Sequence, residues 1–273
     1  MGLRVNTNIA ALSAQRNLAS VSGRLSGNFS RLSSGLRIAT AADDAAGLGI
    51  SERMRGQIRS LAVASRNAQD GVSLAQTAEG ALQEVNNNLN RMRELAVQAA
   101  NGTLTTQDRQ TLDTEFQALI TEIGRVSGQA TFNGVALLDG STTSLDIQVG
   151  TNANETISVA LNDMTSTALN ILGENITTAA NAGNVMTVID GAIDLVTEAR
   201  GELGAAQNRL TSSIASILNT RENLSAAESR IRDVDVAIET ADLTRNSILQ
   251  QAAVSILAQA NTQPQLALSL LQG

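Results

Sequence analysis

Residues 189–238 read IDGAIDLVTEARGELGAAQNRLTSSIASILNTRENLSAAESRIRDVDVAI, with Ile189, Val196, Leu203, Leu210, Ile217, Leu224, Ile231 and Ile238 at seven-residue intervals. An unbroken apolar ladder of this period predicts one long helix with a partner along its length, the coiled-coil core of the molecule. Three residues after each rung but the last stands a small or short side chain: Ala192, Ala199, Ala206, Ser213, Thr220, Ala227 and Val234. The seam therefore alternates large with small, as close helix packing requires. Arg200, Arg221 and Glu228 follow rungs by four, on the flank. At 1.5 Å per residue a helix of roughly 50 residues is about 75 Å long, longer than an ordinary globular domain is wide.

The residues that are absent narrow the function. The chain of 273 residues has no His, Cys, Trp, Tyr or Lys, so the imidazole shuttle, the thiolate, the Schiff-base amine and the soft metal ligands are missing. A non-enzymatic protein without metal or cofactor is the expectation. Three Phe (Phe29, Phe116, Phe132) are too few to anchor a thick core, and the 42% hydrophobic content is carried by Ala, Leu, Ile and Val, which suit thin helix-on-helix packing. The expected fold is mainly α with a small β-hairpin region, an elongated antiparallel bundle rather than a compact globule. A net charge of −7 with no basic cluster argues against nucleic acid or an anionic membrane as partner. No apolar run approaches a membrane span. The opening residues, Met1 to Asn8, lack the sustained apolar segment and cleavage site of a secretory signal.

Along the chain, Leu18, Val21, Leu25, Phe29, Leu32 and Leu36 trace a first helix that stops near Gly35. A second pattern runs from about Ser51 to Ala100 and ends at Asn101-Gly102, a plausible cap. Thr105-x-x-Asp108 offers a capping box for a third helix through Leu112, Phe116, Leu119, Ile123 and Val126. From about 129 to 162 the period changes to two. Leu145–Val149 and Thr156–Leu161 flank a polar loop, and Asn133-Gly134 marks a tight turn. Residues of about 163–186, rich in Thr, Asn and Ala, read as a short exposed segment. After the ladder comes a last helix through Ile248, Leu249, Ala252, Ile256 and Leu257, which the only proline, Pro264, should kink or interrupt before Leu266, Leu268, Leu270 and Leu271. From Gln250 to Gly273 there is no charge, which suits a protein-lined interior.

Asp43-Asp44 and Asp233-x-Asp235 lack convergent ligands and read as solvated or helix-capping carboxylates. Gly47-Leu48-Gly49 follows no strand and reads as a loop or hinge, and Arg91, Met92 and Arg93 as part of a solvated helical face. The terminal helices admit two readings: core helices of a closed monomer, or faces completed by other copies.

The stretches Arg31–Ile38, Asp43–Leu48, Ser65–Gly71, Gln76–Leu82, Arg93–Gln98, Arg125–Gln129 with Phe132-Asn-Gly134, and Ile248–Ala252 through Leu257–Asn261 closely resemble bacterial flagellin. The resemblance covers nearly the whole chain, without the large variable surface domains of many flagellins. It implies an inner coiled-coil domain formed by both chain ends, residues 1–44 plus 235–273, and an outer helical domain, residues 45–234, carrying the hairpin region. It implies a structural subunit that polymerises into the hollow flagellar filament used for swimming. A flagellin-like hook–filament junction protein is the alternative. The subunit interface would then use Leu18, Val21, Leu25, Phe29, Leu32, Leu36, Ile248, Leu249, Ile256 and Leu257. The resemblance places recognition by the innate-immune Toll-like receptor 5 at Arg91, Leu95 and Glu115. It also implies other copies of the chain, an export chaperone, and the filament cap and hook-junction proteins as partners, with export to the outside of the cell without a cleaved signal. Outward hydroxyls such as Ser141, Thr142, Thr143 and Thr165 to Thr167 are where the family is often O-glycosylated.

Overall fold

The computed structural model describes residues 7–272, with side chains described through Thr262. The opening residues 1–6 and the side chains of Leu266, Leu268, Leu270 and Leu271 lie outside the described set. The elements are α1 (Ile9–Ser34), α2 (Ala45–Ala100), α3 (Thr106–Gln129), β1 (Thr131–Phe132), β2 (Val135–Ala136), β3 (Ser144–Gln148), β4 (Thr156–Ala160), α4 (Ala179–Arg232) and α5 (Val236–Gln272). The chain divides into two compact units, one of Met1–Gly56 with Asn223–Gly273 and one of Gln57–Glu222.

In the unit of residues 57–222 the ladder does what its period requires. Ile189, Val196, Leu203, Leu210 and Ile217 are buried, and Ala192, Ala199 and Ala206 are buried between them. The core also takes Leu82, Val85, Leu89, Met92 and Leu95 from α2 and Phe116, Ile120 and Ile123 from α3. Burial fades beyond Ile217: Leu224 and Ile231 are half-buried.

The capping box of α3 is realised in both directions. The Asp108 N–H donates to Thr105 Oγ1 at 3.3 Å, and the Thr105 N–H to Asp108 Oδ2 at 2.9 Å. At the other side of the connection, the Arg109 guanidinium donates to the Ala99 and Asn101 carbonyls at 2.8 and 2.9 Å, closing the end of α2. The β1–β2 turn places Asn133 and Gly134 at φ 49° and 80°, the two positive values a type I′ turn needs. Strands β3 and β4 pair antiparallel with Leu145 opposite Val159 and Ile147 opposite Ile157. Ile147 lies over Gly71 of α2, where an added Cβ would come within 3.1 Å of the Ile147 side chain and 3.2 Å of Leu210. The hairpin sits close only because no side chain is there.

Gly47-Leu48-Gly49 is not a loop or hinge but lies in the first turns of α2, and three further expectations about the elements need correction. Residues 163–186 are not exposed as a whole, since Met164, Leu169, Ile171, Ile176, Ala182 and Val185 are buried. The segment is pinned through its main-chain N–H groups, Met164 donating to the Leu138 carbonyl at 2.9 Å and Ile176 to the Asp113 carboxylate Oδ1 at 2.9 Å. Met164, Leu169, Ile171 and Ile176 sit on irregular backbone with no helical or strand period, whereas Ala182 and Val185 already belong to α4.

The ladder, second, is not one helix, because α4 ends at Arg232 and Ile238 lies in α5, exposed. Asp235 Oδ1 accepts from the N–H groups of Ala237 and Ile238 at 2.9 and 3.2 Å, starting a new helix. The Val234 N–H turns aside to Gly35 O at 3.0 Å. Local carboxylate capping outweighs the heptad there. Third, α5 is not interrupted by Pro264 but continues to Gln272.

Leu210 is fully buried and Leu224 half-buried in the same ladder. Leu210→Ala is expected to destabilise the unit of residues 57–222 by about 2–5 kcal/mol, the cost of an unfilled core cavity, and Leu224→Ala, just past the end of that unit, to cost the protein clearly less. Urea melts followed by circular dichroism check the order; equal losses would mean the ladder is packed uniformly.

Candidate assembly surface

In the other unit α1 and α5 run antiparallel. Asn8 meets Ala260, Asn28 meets Asn246 and Arg31 meets Glu239, so as one position advances the other retreats. The buried positions of α1 are Ala14, Val21 and Asn28, and those of α5 include Glu239, Asn246 and Ala260. The α1 set is spaced by seven, and so is the α5 set once half-buried Ala253 is counted between Asn246 and Ala260, so both helices carry a heptad seam. Unlike the ladder of α4, it is thin and partly polar.

At its middle the Asn246 Nδ2 donates to Asn28 Oδ1 at 3.2 Å, both side chains buried. A buried amide pair weakens a seam but satisfies its own hydrogen bonds in only one alignment, which fixes register. The Glu239 carboxylate is buried, with Arg31 Nη1 at 3.5 Å and no hydrogen bond to its Oε1. Beside this seam an open cleft of about 520 Å³ is lined by Gly23 and Gly27 of α1 and by Asp242 and Asn246 of α5.

The ten residues expected at the subunit interface divide. Val21 is buried and Leu18, Leu25, Leu32, Leu36 and Leu257 are half-buried within the unit itself. Phe29, Ile248, Leu249 and Ile256 face outward, Phe29 58% exposed and Ile248 and Ile256 each 60%. Pattern reading missed Ile9, Leu12, Val236 and Val254, which are also exposed. A ladder or stripe selects one face only, and these residues lie off it. It missed Asn28 and Asn246 as well, although Asn28 stands seven residues after Val21, a spacing that could have revealed it.

The connections between α1 and α2 and between α4 and α5 are laced together. Leu36 and Asp233 form an antiparallel bridge, the Arg37 N–H donates to Arg232 O at 2.7 Å, and Arg37 Nη2 to Ile231 O at 2.6 Å. Arg232 Nη1 in turn donates to Glu52 Oε1 at 2.6 Å. Asp44, the partner of Asp43, accepts from the Gly47 N–H at 2.9 Å and starts α2, while Asp43 accepts from the backbone and hydroxyl of Thr40. These bonds, the Thr40 backbone one first, hold the Asp43 carboxyl below its ordinary range.

Of the residues assigned to receptor recognition, Arg91 and Glu115 are exposed and joined, Arg91 Nε donating to Glu115 Oε1 at 2.9 Å. Hydrogen bonds to Glu94 and then Glu115 push the Arg91 guanidinium further toward its charged form. Leu95 is 1% exposed, in the core between helices, and offers no surface. A helical position four residues after Arg91 shares its side of α2 but not its exposure. Among the described residues no three His, Cys, Asp or Glu side chains gather to hold a metal ion, and no helix is long and apolar enough to cross a membrane.

The class this defines is a helical structural protein whose chain ends form one thin coiled-coil seam and keep large apolar side chains outside it. The pattern described as the bacterial flagellin N-terminal helical region matches residues 5–143, and that of the C-terminal helical region matches 186–271. A flagellin of Halalkalibacterium halodurans is 49% identical over 270 residues, covering 98% of this chain and 99% of that one. A flagellin of Bacillus subtilis is 45% identical over 306 residues, covering 99% and 100%. The crystal structure of Bacillus cereus flagellin is 33% identical with a TM-score of 0.52, over 60% of this chain and 94% of that one. The chain belongs to the bacterial flagellin family.

Glu52 makes the pH dependence of this lacing testable. Its hydrogen bonds from Arg232 and then Arg55 lower its pKa from the ordinary 4.5. A carboxylate with a lowered folded pKa adds stability that is present above the unfolded value and lost as pH falls through the folded one. Glu52→Gln is therefore expected to flatten the loss of stability below about pH 4.5 and to change little of its slope near neutrality, as read from melts across the acid range. An unchanged acid slope would show that the Arg232 bond does not form.

Proposed function

We propose that the chain is the structural subunit of the hollow, helical flagellar filament outside the cell, and that polymer growth completes the fold of its terminal helices. The observation that carries this is the contrast inside the unit of α1 and α5. The buried positions of its seam are Ala14, Val21, Asn28, Glu239, Asn246 and Ala260, with one large apolar residue among them, while Ile9, Leu12, Phe29, Ile248, Leu249, Val254 and Ile256 stay exposed. Full burial of such a side chain is worth about 1.5–3 kcal/mol. The unspent half on each, summed over neighbouring copies, is what offsets the ordering of two long helices. A head-to-tail contact whose rotation does not close gives an open helical polymer, so one repeated contact builds the filament.

The tail from Gln250 onward carries no charge. Facing a central channel, Gln and Asn would let passing chains by without ion pairing. Passage through that channel without a cleaved signal, escort by an export chaperone, and contact with cap and hook-junction proteins at the two filament ends belong to the same reading. The inner domain of residues 1–44 plus 235–273 lines the channel in this arrangement, and residues 45–234 form the outer one. Toll-like receptor 5 would meet this chain through Arg91 and Glu115.

Removing residues 243–273 is expected to abolish polymerisation and to leave the unit of residues 57–222 folded. Ile248→Asp is expected to block assembly with no change in the melting of that unit. Negative-stain images of seeded protein, with circular-dichroism melts of the same samples, decide it. Filaments of normal diameter from the truncated chain would sink the assignment.

A further inference from the structure

The amide of Asn8 is used at both ends. Its Oδ1 accepts from the Ala11 N–H at 3.0 Å, which caps α1, and its Nδ2 donates across to the Ala260 carbonyl of α5 at 2.7 Å. That carbonyl is a special one. In an uninterrupted α-helix it would accept from the N–H four residues on, and four residues on stands Pro264, the only proline in the chain, which has no N–H to give. Ala260 is buried, so water is poorly placed to serve the orphaned oxygen, and an unpaired buried carbonyl is costly. Yet α5 continues through Pro264 to Gln272.

We propose that Asn8 is a two-ended clamp matched to Pro264: it replaces the hydrogen bond that the proline removes from α5 and caps α1 with the same side chain, so that the two chain ends take up their helical order together and in one alignment. Asn is the residue that can do this. Asp and Ser can accept as caps, but a carboxylate has no donor for a carbonyl and a serine hydroxyl is shorter. The single proline therefore makes the last third of α5 dependent on α1. The device deepens the filament reading, since it gives the order of the chain ends a specific lock.

The test is a double-mutant cycle of Asn8→Asp and Pro264→Ala in the full chain. Asn8→Asp keeps the cap acceptor and places a negative charge where a helix start favours it, so a cap-only role predicts no loss. Pro264→Ala returns an N–H to the Ala260 carbonyl. The clamp predicts that Asn8→Asp lowers the temperature at which filaments depolymerise by a few degrees in the Pro264 chain and leaves it unchanged when Pro264→Ala is also present. Failure of Asn8→Asp to assemble, rescued by Pro264→Ala, supports the clamp equally. The same shift in both backgrounds, no shift in either, or no rescue of a failed assembly overturns it. If the unsubstituted chain forms no filament, the subunit reading falls instead. The cycle is then read from amide exchange in the first turn of α1 in the four monomers, with the same pattern required.

Discussion

Ile189, Val196, Leu203 and Leu210 are buried along one side of α4, and the alanines three residues after the first three let neighbouring backbones come close. That large–small alternation is the interaction on which the chain depends. Nearly without aromatic residues, it cannot build a thick core, and only close, repeated helix contact removes enough apolar surface from water. The same need fixes Gly71, where the β3–β4 hairpin must come down onto α2.

The paired chain ends use the same heptad geometry with poorer material. Where α4 has Ile and Leu, α1 and α5 set Asn28 against Asn246 and leave Glu239 beside Arg31. Polar seam positions lower stability and raise the specificity of alignment. A seam that is specific but weak, with Phe29, Ile248 and Ile256 outside it, suits a part whose folding is finished by its neighbours.

Much of this was legible in the sequence. The helical periods, the Thr105–Asp108 capping box and the Asn133-Gly134 turn are local signals, and local signals survive folding. What was not legible depends on distant partners. Leu169, Ile171 and Ile176 are buried by irregular backbone that has no period. The break after Arg232 arises because Asp235 caps α5 and Val234 bonds to Gly35, against a heptad that runs on unbroken in the letters. The family resemblance puts Leu95 at a recognition surface, and its burial follows from helix packing in this chain. The tolerance of α5 for Pro264 has its counterpart at Asn8, far away along the chain.

The central claim is that copies of the chain complete a seam that one copy leaves weak. Amide hydrogen exchange, compared between monomer and filament, tests it most directly. Amides of α4 between Ile189 and Leu210 should be protected in both states, whereas those of α1 and α5 should exchange fast in the monomer and become protected in the filament. Equal protection of α1 and α5 in the two states would contradict the account, because the terminal helices would then be stable without their neighbours.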